Sequence, residues 1–281
     1  MAQEHQRTSV AKMMGENAHL TELSSDEIQT QIPIAIPGKL VSGIYDPGGG
    51  DLDVDAILQG YLRQLKSNGG KVITDCKLLG LEYKAGLWSL ATSYGNYTTP
   101  VIVNSAGAWA DQIAKIAGLQ PLGIQPFRRT ALLVDPPEGL DISSWPLTID
   151  IDEAFYFKPD AGQLLISPAD ETPIEPCDVQ PDDLDVAVVI DQIQQLVNLD
   201  VKKINHSWAG LRSFAPDKTF VVGFDPRCSG FFWFAGQGGY GVQAAPGLAD
   251  LGASIATGNQ AVLTRQSSAK LRALIAPERL L

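Results

Sequence analysis

Near the C-terminal end, the run Phe231-Phe232-Trp233-Phe234-Ala235 stops at Gly236-Gln237-Gly238-Gly239-Tyr240-Gly241, four glycines in six residues. An apolar run this short, closed by glycine, predicts a buried strand. A helical pattern then opens, with Val242, Ala245, Leu248, Ala249 and Ile255 on one face, and Pro246 is expected in the first turn, where its missing N–H costs little. Strand, glycine loop and helix N-terminus together aim free N–H groups and the positive end of a helix at one point, a cradle for an anion or a dipole. Gly236-x-Gly238-x-x-Gly241 also fits the dinucleotide fingerprint, which should open a βαβ unit with an acidic residue about 20 positions on. Here no apolar strand follows, and the only acid in 260–281 is Glu278. Three readings stay open: a pyrophosphate cradle, a structural turn, or a loop set against another part of a ligand.

The rest of the chain supplies the surroundings of that loop. Residues 1–30 are polar and predict no opening strand, although Ser24-Ser25-Asp26-Glu27 reads as a helix start with Ser24 or Ser25 as cap. A strand over 40–45 ends at Asp46-Pro47-Gly48-Gly49-Gly50. Asp53 then caps an amphipathic helix carrying Val54, Ile57, Leu58, Tyr61, Leu62 and Leu65, stopped by Asn68-Gly69-Gly70. A short strand is expected over 71–74, and hairpin arms over 78–82 and 87–91 around Lys84-Ala85-Gly86.

The run Pro100-Val101-Ile102-Val103-Asn104 is continuously apolar, as in a strand covered on both faces. It leads through Ser105-Ala106-Gly107-Ala108-Trp109 into a helix expected to turn Trp109, Ile113, Ile116 and Ala117 inward, with Gly118 as its cap. Such a small-residue turn marks either a ligand at the carboxyl edge of a parallel sheet or tight helix-on-strand packing. From 125 to 181 the texture becomes β-rich, with Arg128 and Arg129 on a strand over 127–135. A hairpin is expected around Pro159-Asp160-Ala161-Gly162, with Phe155 and Phe157 on one face and Tyr156 on the other. Asp182-Asp183 starts a helix striped with Val186, Val189, Ile190, Ile193 and Val197.

Composition narrows the function. A chain of 281 residues, 44% apolar, can bury a core in one or two domains, and a net charge of −11 speaks against nucleic-acid or anionic-membrane partners. Cys76, Cys177 and Cys228 are widely spaced, which reads as reduced intracellular thiols. No apolar run approaches the ~20 residues needed to span a bilayer, and Met1-Ala2-Gln3-Glu4-His5-Gln6-Arg7 has no signal-peptide core. The expectation is a soluble cytoplasmic protein without an integral membrane segment. His5, His19 and His206 show no metal-ligand spacing, so no metal is expected, and His206 beside Trp208 reads as a packed or surface residue and not a base. Gly-x-Ser-x-Gly and Walker glycine loops are absent.

Four segments together resemble the FAD-dependent D-amino acid oxidase and dehydrogenase superfamily, with its glycine oxidase and sarcosine oxidase relatives. They are Val101 through Ala110, Pro126-Phe127-Arg128-Arg129, Ser207-Trp208-Ala209-Gly210-Leu211-Arg212 and the loop 236–243. Within it, the Trp-Ala-Gly-Leu-Arg and Gln-Gly-Gly-Tyr-Gly-x-Gln strings look most like the D-arginine dehydrogenase branch. The resemblance implies an α/β fold with α+β elements: an incomplete Rossmann-like FAD-binding domain, 48–120 and 205–270, and an antiparallel-sheet substrate-binding domain, 121–204. Residues 1–47 would lead in from a nucleotide-binding unit that the sequence does not contain.

The implied chemistry is oxidation of the CH–NH bond of a D-amino acid to an imino acid, by hydride transfer to non-covalent FAD. Arg212 would pair with the substrate carboxylate and Tyr156 would donate to it. Gln243 and Gly210 would lie near the amine and flavin, and Arg129 in the substrate wall. Leu78 would meet the adenine. Ala106, Gly107, Ala108 and Trp109 would let backbone approach the cofactor, and Gly236, Gln237, Gly238, Gly239, Tyr240, Gly241, Val242 and Gln243 would hold the flavin ring. Ser213 and Phe214 stand where a covalently linked relative would place its cysteine.

The superfamily opens with a genuine glycine-rich βαβ unit, and this sequence does not. Two hypotheses follow: the bulk of a flavin-dependent amino acid dehydrogenase, or a non-catalytic remnant or partner subunit of one. Weak or absent FAD retention by the 281 residues alone is expected. The substrate side chain and the electron acceptor stay open.

Overall fold

The computed structural model describes residues 1–259 and 269–281, mixing helices with antiparallel sheets. Of the expected FAD-binding domain, 48–120 and 205–270, residues 260–268 lie outside the described residues. Two compact units divide the chain: Met1–Gly50 with Phe127–Leu211, and Asp51–Pro126 with Arg212–Leu281. The cuts fall at 50/51, 126/127 and 211/212, where the sequence suggested 47/48, 120/121 and 204/205.

In the first unit a six-stranded sheet runs in the order Thr172–Pro173, Gln125–Val134, Gln163–Ser167, Tyr156–Asp160, Thr148–Ile149, with Ile204–Phe214 also on Gln125–Val134. The hairpin is tighter than the sequence implied. Strand pairing continues through Asp160↔Gln163, and the turn is Ala161-Gly162 with φ of 48° and 80°, the two positive values a type I′ turn requires. Phe155, Phe157, Leu164 and Ile166 are buried against Val186, Val189 and Ile193 of the helix Asp183–Gln194. Asp182 Oδ1 accepts the Leu184 N–H at 2.9 Å to cap that helix. Each such fully buried side chain contributes roughly 1.5–3 kcal/mol.

The N-terminal residues depart from expectation. A helix, Arg7–Glu16, and a strand, Thr21–Ser24, precede the foreseen helix Ser25–Gln31, and the strand pairs antiparallel with Ser42–Tyr45. The strand was invisible because backbone pairing holds it and Leu23 is its only apolar residue. Ser24 and Glu27 close a capping box. Ile28, Ile32, Ile34, Ala35 and Leu40 join the same core as Leu132 and Val134.

The second unit holds two three-stranded sheets, Val221–Phe224 / Phe231–Ala235 / Ile102–Asn104 and Leu78–Lys84 / Leu87–Thr92 / Gly95–Thr99. The second is a meander whose first turn, Ala85-Gly86, also has two positive φ values, 52° and 85°. Its third strand has no apolar alternation and was not foreseen. Conversely, 71–74 form no strand: Val72 and Ile73 are exposed and no described strand lies beside them.

The helix Val54–Ser67 begins as the sequence predicts, with Asp53 Oδ1 accepting the Ala56 N–H at 2.8 Å. It closes in a Schellman motif, Gly70 N–H to the Leu65 carbonyl at 2.9 Å and Gly69 N–H to that of Lys66 at 3.0 Å. Its apolar stripe, however, is not covered, and none of its residues is buried. The helix Ala110–Ile116 also corrects the sequence reading: Ala110 and Ala114 face inward, while Trp109 and Ile116 are exposed. A 3-10 turn over Gly107–Trp109 rotates the faces. The last long helix starts at Gly241, so Pro246 falls in its second turn, where it leaves the Val242 carbonyl without the usual helical donor.

Gly230 shows how tightly this sheet closes. Its φ is 72°, its carbonyl accepts the Ile102 N–H at 2.8 Å, and an added Cβ would overlap the Pro100 carbonyl oxygen. Gly230→Ala is expected to lower stability by roughly 2–4 kcal/mol through strain and overpacking. Urea denaturation checks this, and an unchanged midpoint would mean that Pro100 retreats freely.

Candidate functional site

The strand Phe231–Ala235 lies parallel to Ile102–Asn104, with Phe231 opposite Ile102 and Trp233 opposite Asn104. Both strands therefore deliver their carboxyl ends, a small-residue turn and a helix start to the same edge of one sheet. In α/β proteins that edge is where ligands sit.

Two buried polar side chains that sequence reasoning passed over fix the two strands, Asn104 at this edge and Asp225 at the opposite, amino end of Phe231–Ala235. Asn104 donates from Nδ2 to the Ala110 carbonyl at 2.9 Å and accepts the Ala106 N–H at 3.4 Å, which holds the 105–110 turn in shape. Asp225 accepts from Trp233 Nε1 at 3.0 Å and from Arg227 through its backbone N–H, Nε and Nη2 at 2.8, 2.9 and 2.6 Å. Arg227 Nη2 in turn donates to the Gln120 carbonyl at 3.1 Å. Burial pushes the Asp225 carboxyl up, but the Arg227 and Trp233 donors outweigh it and hold it below its ordinary value. The available signal was the tryptophan: an indole N–H in a buried strand needs an acceptor.

The glycine loop follows. Gly236 and Gly238 have φ of 74° and 52°. The Gly238 N–H donates to the Ser213 carbonyl at 2.9 Å, and a Cβ there would overlap the Phe214 ring. At Gly239 an added Cβ would lie 2.9 Å from Arg212 Nη1 and 3.3 Å from Cζ. The guanidinium thus rests directly on the loop backbone. Arg212 is half-buried, and no described carboxylate pairs with it. Tyr240, Val242 and Gln243 are exposed, Gln237 and Gly241 half-buried, and the helix Gly241–Thr257 starts without a side-chain cap. Its first N–H groups therefore lack helical partners.

On the neighbouring turn, Gly107 has φ of 55° and open space where a Cβ would be, between half-buried Ala106 and buried Ala108. Leu78 lies in the other sheet of this unit, half-buried at the irregular register Leu78/Gly80.

The remaining sequence-predicted residues belong to the first unit. Tyr156 opens its strand half-buried, paired with Ser167 and Ile149. Arg129 is engaged by Glu171 at 3.3 Å, and Arg128 by Asp170 at 3.2 Å and Asp185 at 2.6 Å. Gly210 is exposed with open space at its missing Cβ, two residues before Arg212 on Ile204–Phe214. The exposed His206 ring stacks on Trp208, centroids 5.5 Å apart.

All three cysteines are free thiols. Among the described residues no group of His, Cys, Asp and Glu could hold a metal ion, and no helix is long and apolar enough to cross a membrane.

Comparison with known proteins gives this arrangement a context. Sarcosine dehydrogenase, mitochondrial, of Homo sapiens is 25% identical over 259 residues, covering 85% of this chain but 27% of that protein. The chain thus spans about a quarter of the length of that relative. Glycine oxidase from Geobacillus kaustophilus superposes with a TM-score of 0.79 at 20% identity, covering 92% of this chain and 70% of that one. An L-α-glycerophosphate oxidase from Mycoplasma pneumoniae, solved with FAD bound, superposes with a TM-score of 0.79 at 17% identity, covering 91% and 72%. These structures share the fold. The model of the family DAO, described as FAD dependent oxidoreductase, matches residues 1–255, and the chain belongs to that family.

Proposed function

We infer that this chain carries the flavin-ring and amino-acid-binding parts of an FAD-dependent oxidoreductase that oxidises the CH–NH bond of an amino acid, of D configuration, to an imino acid. The observation that carries this reading is the half-buried Arg212 guanidinium, without a described carboxylate partner, resting on the Gly239 backbone just before an uncapped helix start. The residues present fit the ring end of FAD. Glycine at 239 keeps the loop backbone against Arg212, and Gly107 leaves open space on the adjacent turn. FAD, when bound, would supply the acceptor for the hydride leaving the substrate Cα. It would be held non-covalently by 236–243, by Ala106 to Trp109 and, at the adenine, by Leu78. No second Gly-x-Gly-x-x-Gly stands elsewhere in the sequence to grip the pyrophosphate.

The chain's own residues do the positioning. Arg212 presents a planar fork that matches a carboxylate with two parallel N–H···O bonds, which a lysine does not. In this reading Tyr156 would donate its hydroxyl to the substrate carboxylate, Arg129 would lie in the substrate wall, and Gly210 would lie near the amine and the flavin. Gln243 lies near the amine and the ring. The positive end of the helix Gly241–Thr257 stabilises negative charge developing next to it. Bringing Cα to a fixed position and orientation accounts for most of the rate, so no strong base is needed once the amine is deprotonated. In this reading 48–120 and 205–270 hold the cofactor and 121–204 the substrate, in a cytoplasmic protein, consistent with its three free thiols.

The uncovered stripe of Val54–Ser67 favours a second reading, in which the chain alone is a non-catalytic part of such an enzyme. Titration with FAD followed by a D-amino acid panel with a dye acceptor separates the two. Retention of FAD on gel filtration is expected to be weak. With FAD in excess, dye reduction is expected to depend on a D-amino acid. A protein that reduces no dye with any D-amino acid at saturating FAD overturns the first reading for this chain alone.

A further inference from the structure

One face of the six-stranded sheet is taken up by Phe155, Phe157, Leu132, Leu164 and Ile166, all buried. Residues one step along each strand point to the other face, and the register fixes which of them are neighbours. Tyr156 lies opposite Ile149 on one side and Ser167 on the other. Lys158 lies opposite Leu165, which lies opposite Leu133. Lys158 therefore shares a face with Tyr156, roughly 7 Å further along the strand, in a row with two half-buried leucines.

Asp160, the next residue on that face, approaches the Lys158 ammonium at 3.9 Å, beyond hydrogen-bond reach. The lysine side chain is 23% exposed and the aspartate side chain 43%. A lysine that served only the surface would hold its head further into water than its partner, and so long a pair contributes little by itself.

We propose, on the reading above in which Tyr156 donates to the α-carboxylate, that Lys158 determines side-chain specificity and that the substrate is a dicarboxylic D-amino acid. With the α-carboxylate at Tyr156, the side-chain carboxylate extends along the face to Lys158, whose several N–H donors serve it and Asp160 together. The leucines beside it lower the local dielectric, which strengthens a charge-assisted bond. A cationic side chain meets like charge there, and an apolar one desolvates the ammonium without giving it a new acceptor.

The test uses the full chain with FAD in excess and two readouts. Dye reduction compares D-glutamate with D-arginine and with D-glutamine, which matches glutamate in shape but carries no side-chain charge. Trace acetylation of lysines, read by mass spectrometry, reports occupancy at Lys158 without turnover. D-glutamate is expected to exceed D-glutamine roughly 10- to 100-fold in kcat/KM. It should also slow acetylation of Lys158 and leave that of Lys202, 78% exposed, unchanged. Lys158→Met keeps the stem and is expected to bring the ratio near one, whereas Lys158→Arg keeps the charge and the preference. Protection of Lys158 by D-glutamate without dye reduction supports the proposal and overturns the redox reading. Dye reduction in which D-glutamine or D-arginine equals or exceeds D-glutamate overturns the proposal and leaves the redox reading standing. So does a preference that a folded Lys158→Met retains. Neither protection nor dye reduction overturns both for this chain.

Discussion

Replacing Arg212 by alanine is expected to raise the KM for the amino acid substrate by roughly 30- to 1,000-fold, or about 2–4 kcal/mol, with a much smaller change in kcat. The reason is the guanidinium's lack of a described carboxylate partner: its fork is uncommitted and half-buried against Gly239. Removing it deletes the carboxylate's counter-charge in the ground state and transition state alike, which raises KM more than it lowers kcat. Arg212→Lys should recover only part of the loss, because a point charge cannot make the paired bonds. Steady-state kinetics at saturating FAD checks both variants. Unchanged kinetics in Arg212→Ala would remove the residue from the site.

Asp225→Ala is expected to cost about 3–5 kcal/mol of stability, the loss typical when one partner of a buried ion pair is deleted. It would leave the Trp233 indole N–H without an acceptor inside the core and Arg227 without its anion. The same carboxylate sets a pH dependence. Its folded-state pKa lies below the ordinary 3.8, so its contribution is fully present above about pH 4 and fades as pH falls through the lower folded value. Thermal midpoints measured from pH 6 to pH 2 should fall more steeply for the natural protein than for Asp225→Asn. Parallel curves would show that other carboxylates carry the acid sensitivity.

Much of this fold was legible because its signals were local. Asp53, Ser24 and Asp182 announced helix starts by chemistry that acts within three residues, and Ala161-Gly162 announced a turn in the same way. What stayed hidden depends on distant neighbours. The strand Thr21–Ser24 exists through its pairing with Ser42–Tyr45 and has no pattern of its own. The pattern of 71–74 has no described strand to pair with. Trp109 faces outward because a 3-10 turn precedes its helix, and no periodicity encodes that turn. At the site, the four-glycine loop and Arg212 stood out by residue type. Asn104, which shapes the 105–110 turn, and Asp225, which holds Trp233 of the strand before the loop, did not, because a lone polar residue has no meaning until its partners are known.

The contrast between the arginine on the glycine loop and the acidic molecule around it has a kinetic consequence. At physiological ionic strength the Debye length is about 8 Å, so a solute arriving from afar meets an overall negative particle and senses the Arg212 guanidinium only at close range. A zwitterion of zero net charge pays nothing for the approach, and its capture rate should barely respond to added salt. A dicarboxylic amino acid is repelled first and attracted late, so salt should speed its arrival. The bulk charge thus sorts solutes by net charge before any side chain is felt.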